Sequence, residues 1–279
     1  MYFYNLIKHG LKILMKTVEL LNGNPAEPSV LKAGDYIRTR KKSLPELRFP
    51  RYCVLGFYPM LVQHCKLRYG ASVLDFINRG HPYMLFPYRG IPMGFVYPGI
   101  GSPLASAILD ETFALGAESC IFIGSAGILV EGFQRRDLIL PIRAVRDEGT
   151  SFHYADPGRH AFPDSDLADA IRTTLREKTV PFREGTTWTT DGVYREIPSK
   201  ISRLRDEGCL AVDMEASALF SVAKFYGKKI AGLFSASDSI SGTVWKPFST
   251  EANAKSIKPA GLLELALDSL VHFHSDRKE

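Results

Sequence analysis

The sequence predicts an α/β protein: a single domain built on a mixed, mostly parallel twisted sheet with helices on both sides. Three observations predict it. Short apolar, β-rich segments alternate with helix-compatible segments along most of the chain. Two of the strands run into glycine-rich turns, Gly99-Ile100-Gly101 and Gly124-Ser125-Ala126-Gly127. The chain has 279 residues, of which 45% are hydrophobic, enough for one large α/β core.

The elements follow in order. Residues 1–21 are apolar, with lysines at Lys8, Lys12 and Lys16. Those lysines interrupt any signal-peptide h-region, so an amphipathic helix is expected there, packed against a partner subunit. Residues 22–49, rich in Asn, Pro, Gly and charge, read as a linker or extended arm. Arg51–Gly56 is a short strand and Pro59–Tyr69 a helix. Tyr83–Phe86 and Met93–Tyr97 form a hairpin about the turn at residues 87–92. A helix over Leu104–Leu115 ends at Gly116, and Ser119–Ile123 and Leu138–Ile142 are strands. Asp166–Glu177 is an amphipathic helix, with Leu167, Ala170, Ile171 and Leu175 on one side. Gly185–Asp191 is a β-rich strand. Ser217–Tyr226 has i, i+3, i+4 apolar spacing, with Gly227 as its stop. Ile230–Ser235 is the last core strand. A closing helix runs from Pro259, tolerated in a first turn, to Leu270, and Ser275–Glu279 is a polar end.

Composition excludes several classes. No window holds 18 consecutive apolar residues, so no transmembrane helix is expected. Cys53, Cys65, Cys120 and Cys209 have neither metal-ligand nor disulfide-framework spacing, and read as buried thiols in a reducing cytoplasm. The net charge of +5 is uneven, because residues 1–70 carry 12 Lys/Arg against 4 Asp/Glu. Such a region attracts phosphate or a phosphorylated substrate. Nucleic-acid binding is not expected, since Tyr36, Phe49 and Tyr52 form no stacking platform.

The chemistry concentrates in a few places. Asp213 and Glu215 flank Met214 where an apolar run turns helical. Carboxylates at the start of a buried helix are uncommon unless paired or bound to something, and a helix N-cap with an acidic first turn is the alternative. Asp238 lies just past a strand's C-terminal end, where open α/β sheets place ligands; an Asx-turn would also put an Asp there. Gly99-Ile100-Gly101 lets backbone N–H groups approach an anion at a helix N-terminus, or makes a tight turn. Arg195 and Glu196 offer a donor fork and an acceptor suited to a base edge, or form a surface pair.

Met214-Glu215, Gly99-Ile100-Gly101-Ser102-Pro103, Ile123-Gly124-Ser125-Ala126-Gly127 and Ser237-Asp238 stand in the same order as in the nucleoside phosphorylase family, which this chain resembles from about Arg51 to Leu270. Thr189-Thr190-Asp191 through Tyr194-Arg195-Glu196 resembles the family's uridine phosphorylase-like group. The resemblance implies a division into an N-terminal helix and basic arm over 1–49 and a catalytic domain over 50–279. It implies that Glu215 binds the ribose hydroxyls with Met214 packed on the sugar. Gly56, Gly101, Gly124 and Ser125 would bind phosphate; Phe152, with His153 a weaker candidate, would stack on the base. Arg195, Glu196 and Asp238 would meet the base edge, and Asp238 would assist its departure as an acid. For Asp238 to hold a proton near neutral pH it must be desolvated.

The chain departs from the family in its anion-binding residues. The Gly56-Phe57-Tyr58-Pro59 loop lacks the family's aspartate and phosphate-binding arginine, and also the glutamate with which the nucleosidase branch activates water. Phe122 stands where many phosphorylases carry a second arginine. Arg51, Arg89 or an arginine of a neighbouring subunit are the candidate substitutes. Three readings follow from the resemblance: a phosphorylase with phosphate as co-substrate and no cofactor or metal, a nucleosidase of the same fold, or a non-catalytic nucleoside-binding relative. The implied assembly is a homo-oligomer, dimer-based or hexameric, with His9 a candidate donated residue.

Overall fold

The computed structural model describes residues 19–21, 23–40, 49–74, 80–242, 244–248 and 257–276. Most of the helix expected over 1–21, with His9 in it, and part of the basic run at 38–42 lie outside them. The arm holds a helix that the sequence reading did not anticipate, α1 (Ala33–Arg40), which buries Ile37.

After α1 come β1 (Tyr52–Gly56), α2 (Met60–Tyr69), β2 (Ser72–Leu74), β3 (Tyr83–Tyr88) and β4 (Ile91–Val96). Then follow α3 (Ser102–Leu115), β5 (Ser119–Ile128), β6 (Leu138–Asp147), β7 (His160–Ala161), α4 (Ser165–Glu177) and β8 (Phe182–Thr190). The last third holds α5 (Pro198–Asp206), β9 (Cys209–Asp213), α6 (Ala216–Phe225), β10 (Lys229–Ser239), β11 (Lys246–Pro247) and α7 (Pro259–Ser275). All eleven strands belong to one mixed sheet.

Side-chain alternation sets the layers. Tyr52 and Val54 of β1, Ile121 and Ile123 of β5 and Leu233 of β10 face one way, into a core with α2, α4 and α7. Cys53, Leu55, Cys120, Phe122 and Phe234 face the other way, into a core with α3 and α6. Helices therefore cover both faces, as expected. A smaller third core, around Trp188, lies beneath α5.

The sheet is more than an open doubly wound one. β5 pairs parallel with both β1 and β10, and β10 then meets β6, β6 meets β8, β8 meets β9, and β9 returns to β5 at Gly127 and Ile128. These five strands close a ring. Closure is possible because β5 and β10 run on past their expected ends at Ile123 and Ser235. Gly124-Ser125-Ala126-Gly127 is thus the second half of a strand rather than a loop. Its small residues admit neighbours: Phe57 and Phe234 crowd Gly124, and Val212 lies against Gly127. Asp238 is likewise inside β10, not beyond it. A bulge between Ala236 and Asp238 adds one residue to β10 and re-aims the aspartate opposite Gly127.

All four cysteines are buried free thiols. Among the described residues no helix is long and apolar enough to cross a membrane.

Candidate active site

One end of the ring opens into a cavity of about 970 Å³. Its wall carries Gly124, Ser125 and Gly127 of β5, Val212 and Asp213 of β9, and the Met214-Glu215 junction to α6. Ser237 and Asp238 of β10 and Ile240 just after it line it too, with Phe57, Ile100, Tyr194, Glu196 and Trp245.

The β9–α6 junction separates the two acids that the sequence left equivalent. Asp213, buried, accepts hydrogen bonds from Thr187 Oγ1 at 2.6 Å and Thr189 Oγ1 at 3.2 Å. It also accepts from the backbone N–H groups of Glu215 (2.8 Å) and Ala216 (2.7 Å). Period-2 alternation on β8 puts both threonines on this side and Trp188 on the other. Asp213 therefore caps the first turn of α6, which is the structural alternative raised above. Burial holds its carboxyl up at about 6 despite these donors. Replacing it with alanine leaves two threonine hydroxyls and two N–H groups without their acceptor, at a cost of about 3–5 kcal/mol. Chemical denaturation of Asp213→Ala should register that loss; wild-type stability would remove the capping role.

Glu215 is left for the cavity. Its Oε1 accepts the Gly101 N–H at 2.7 Å, and Ser102 Oγ donates to the Met214 carbonyl at 2.7 Å. The loop between β4 and α3 thus clasps the Met-Glu pair. Gly99 and Gly101 hold φ of 81° and 95°, which glycine alone adopts without strain. The anion at this helix N-terminus is the chain's own Glu215 carboxylate. Burial, then the charge of Asp213, lifts Glu215 to about 8.

On the opposite wall, Asp238 takes the Trp245 indole N–H on Oδ2 at 2.7 Å and the Ser237 hydroxyl on Oδ1. Glu196, just past the short 3₁₀ turn Val193–Arg195, faces Asp238 across the cavity; burial and that neighbouring charge raise it to about 7. Glu196 is half-buried, whereas Arg195 is exposed and does not line the cavity, so the two do not act as a pair.

Of the other expected residues, Met214, Gly124 and Ser125 line the cavity. Gly56 does not: a Cβ there would lie 2.4 Å from the Phe95 ring, so the glycine serves packing. Phe152 is not brought to the site. It lies under the Arg146 guanidinium, 4.1 Å from its ring centre, beside a separate depression with His153. Arg51 and Arg89 are not substitutes for the missing arginines. They pair with Glu118 and Asp268, each at 2.8 Å, and neither lines the cavity. Phe122 is fully buried between Phe220 and Phe234. Among the described residues no Lys, Arg or His lines the cavity, and no group of three or more His, Cys, Asp and Glu is placed to hold a metal.

Sequence reasoning missed Phe57, Tyr58, Tyr194 and Trp245 as site residues. Phe57 lines the cavity at the place of the family's aspartate. Tyr58 donates or accepts a 2.8 Å hydrogen bond with Ser235 and lies beside Ser125. The aromatic pair directly after Gly56 was the signal for Phe57 and Tyr58, Tyr194 stood beside Arg195-Glu196, and Trp245 had none.

The model of the phosphorylase superfamily matches residues 56–265. The chain belongs to that superfamily. Members similar to it include a purine nucleoside phosphorylase (DeoD-type) of Colwellia psychrerythraea, 29% identical over 66% of this chain and 78% of that protein. A uridine phosphorylase of Thermococcus kodakarensis is 31% identical over 50% of this chain and 55% of its own length. Among solved structures, an AMP nucleosidase of Bacteroides thetaiotaomicron superposes with a TM-score of 0.72 over 88% of this chain and 98% of its own, at 22% identity. A uridine phosphorylase of Vibrio fischeri gives 0.70 over 82% and 93%, at 24% identity. The similar proteins include both purine and uridine phosphorylases in name, and the overall fold is shared with solved structures of a phosphorylase and a nucleosidase.

Proposed function

We propose that this chain cleaves the N-glycosidic bond of a nucleoside. One observation carries the reading: a clamped carboxylate, Glu215, and a base-side carboxylate, Asp238, line one cavity with the small residues Gly124 and Ser125 between them. Breaking the C1′–N bond makes the ribose positive and the base negative. A buried Glu215 grips the ribose hydroxyls, Met214 packs on the sugar, and the Asp238 side receives the base. Tyr194 and Trp245, both exposed at the rim, are apolar faces against which the base can lie.

Phosphate is the nucleophile in the first form of this proposal, giving free base and ribose 1-phosphate; its support is the phosphorylase names of the similar proteins. A phosphate dianion needs a cation, which on this reading comes from a neighbouring subunit of a homo-oligomer. The second form is hydrolysis. It is favoured by a cavity lined by four acids, Glu196, Asp213, Glu215 and Asp238, and by no Lys, Arg or His among the described residues, so nothing in the lining attracts an anionic nucleophile.

Free-base release from inosine, adenosine and uridine, each with and without phosphate, tests both forms. Release that requires phosphate and forms ribose 1-phosphate is the expected result. Release in buffer alone makes water the nucleophile. No release from any of the three overturns the cleavage reading.

A further inference from the structure

We propose that Glu196, rather than Asp238, delivers the proton that the leaving base takes up. The proposal rests on the cleavage reading above. Both acids line the same cavity, but their surroundings differ. Asp238 Oδ2 accepts the Trp245 indole N–H, and Oδ1 shares the single hydrogen of the Ser237 hydroxyl with the Ala126 carbonyl. With those donors turned towards it, Asp238 is set to accept from a base donor, and Glu196 is the acid left to donate. Glu196 has no side-chain hydrogen bond to any described residue. It is half-buried on the wall opposite β10, where a second full negative charge beside Asp238 is costly.

The charge that bears on Glu196 is that of Asp238 of β10; Asp213 and Glu215 of the β9–α6 junction and Tyr194 of its own turn line the same cavity. Arg195, the cation of the same turn, is exposed and outside the cavity lining, so no cation of the lining favours the charged form. The carboxyl accordingly stands near about 7, the range in which a general acid is effective at neutral pH. Asp238 and Glu196 then present an acceptor and a donor to the same cavity. That pair is complementary to a base edge carrying a ring-nitrogen acceptor next to an amino donor.

The step balances as follows. The C1′–N bond breaks, and its electron pair moves onto the base. The Glu196 O–H proton passes to the base heteroatom facing it, leaving a Glu196 carboxylate. The oxygen of water or phosphate bonds to C1′. Solvent, or the proton shed by an attacking water, restores Glu196.

The test compares wild type, E196Q, E196A and D238N on inosine, adenosine and uridine, and on 4-nitrophenyl β-D-ribofuranoside, whose leaving group departs without a proton. Because Glu196 acts protonated, wild-type kcat on a nucleoside should fall as pH rises through about 7. E196Q should flatten that limb. E196A should lose ~10²–10⁴-fold in kcat on the nucleoside but less than about tenfold on the nitrophenyl riboside. An equal loss on both substrates overturns the assignment and leaves cleavage standing. So does a limb that survives in E196Q but vanishes in D238N. No turnover of either substrate by wild type overturns the cleavage reading and this proposal with it.

Discussion

Glu215→Ala should reduce kcat/KM on a nucleoside by roughly 10²–10⁴-fold. On the proposed role, Glu215 gives up its proton on binding the sugar and accepts two charge-assisted hydrogen bonds from the ribose hydroxyls, worth about 1.5–3 kcal/mol each, with tenfold in rate per 1.4 kcal/mol. The fold should survive, since Asp213, not Glu215, caps α6. The loss should be as large in Glu215→Gln, which keeps an acceptor for the Gly101 N–H but has no charge to offer the sugar. Steady-state kinetics with full activity in either variant would remove the ribose assignment.

The same variant carries a stability signature with a definite sign. Burial raises the folded-state carboxyl of Glu215 from its ordinary 4.5 to about 8. Between those values the folded chain holds a proton that the unfolded chain releases, so stability should fall as pH rises through that window. Asp213, raised from 3.8 to about 6, adds a fall in the same direction at lower pH. Thermal melts from pH 5 to pH 8 should show wild-type Tm declining, and a shallower decline in Glu215→Gln. An identical slope in the two proteins would show that Glu215 ionises as freely in the folded state as in the unfolded one.

The second large effect concerns the arginine that this chain lacks. Phe122→Arg restores the residue type many phosphorylases carry there, but it should unfold the protein rather than confer phosphate binding. Phe122 is fully buried, 5.4 Å from Phe234 and 5.7 Å from Phe220 between ring centres. Its ring rests on bare backbone at Gly232, where even a Cβ would come within 2.1 Å. A guanidinium in that apolar core has no partner, and the cost should exceed about 4 kcal/mol, a large part of the stability of a typical domain. Insoluble expression or a Tm lowered by more than ten degrees is the expected outcome. A soluble variant with wild-type Tm and tighter phosphate binding would show that the side chain can turn to the cavity. Gly232 and Phe122 thus form a matched pair across β5 and β10, and a larger residue at Gly232 would meet the same ring.

Much of this arrangement was legible along the chain. The Met214-Glu215 pair, the Gly99-Ile100-Gly101 turn, Gly124-Ser125 and Asp238 all reach the cavity or clasp it, because each motif combines a backbone requirement with a chemical group at short range. Helices α3, α4, α6 and α7 were found within a few residues of their ends, since their apolar spacing and their Gly or Pro boundaries are local signals. Helix α5 was not, because Ile201 and Leu204 are its only buried side chains and the rest is polar. Phe152 was misplaced because aromatic identity says nothing of direction: Arg146, held by Ser151 and the Ala155 and Asp156 carbonyls, covers its ring away from the cavity.

The sequence by itself determined the α/β class, the order of the main elements, the superfamily resemblance and the Met214-Glu215 pair that reaches the cavity. Only the tertiary structure decided which acid does what. Asp213 and Glu215 are two residues apart and chemically alike; Thr187 and Thr189 from β8 claim one, and the Gly101 N–H orients the other. Asp238 and Glu196 are 42 positions apart in the numbering, and a bulge in β10 and a turn after β8 set them face to face. Closure of the ring through β5 and β10 rests on hydrogen bonds between residues more than a hundred positions apart. Local propensity reports the elements, whereas pairing and burial across such distances set the neighbours, and the neighbours set the protonation and the role.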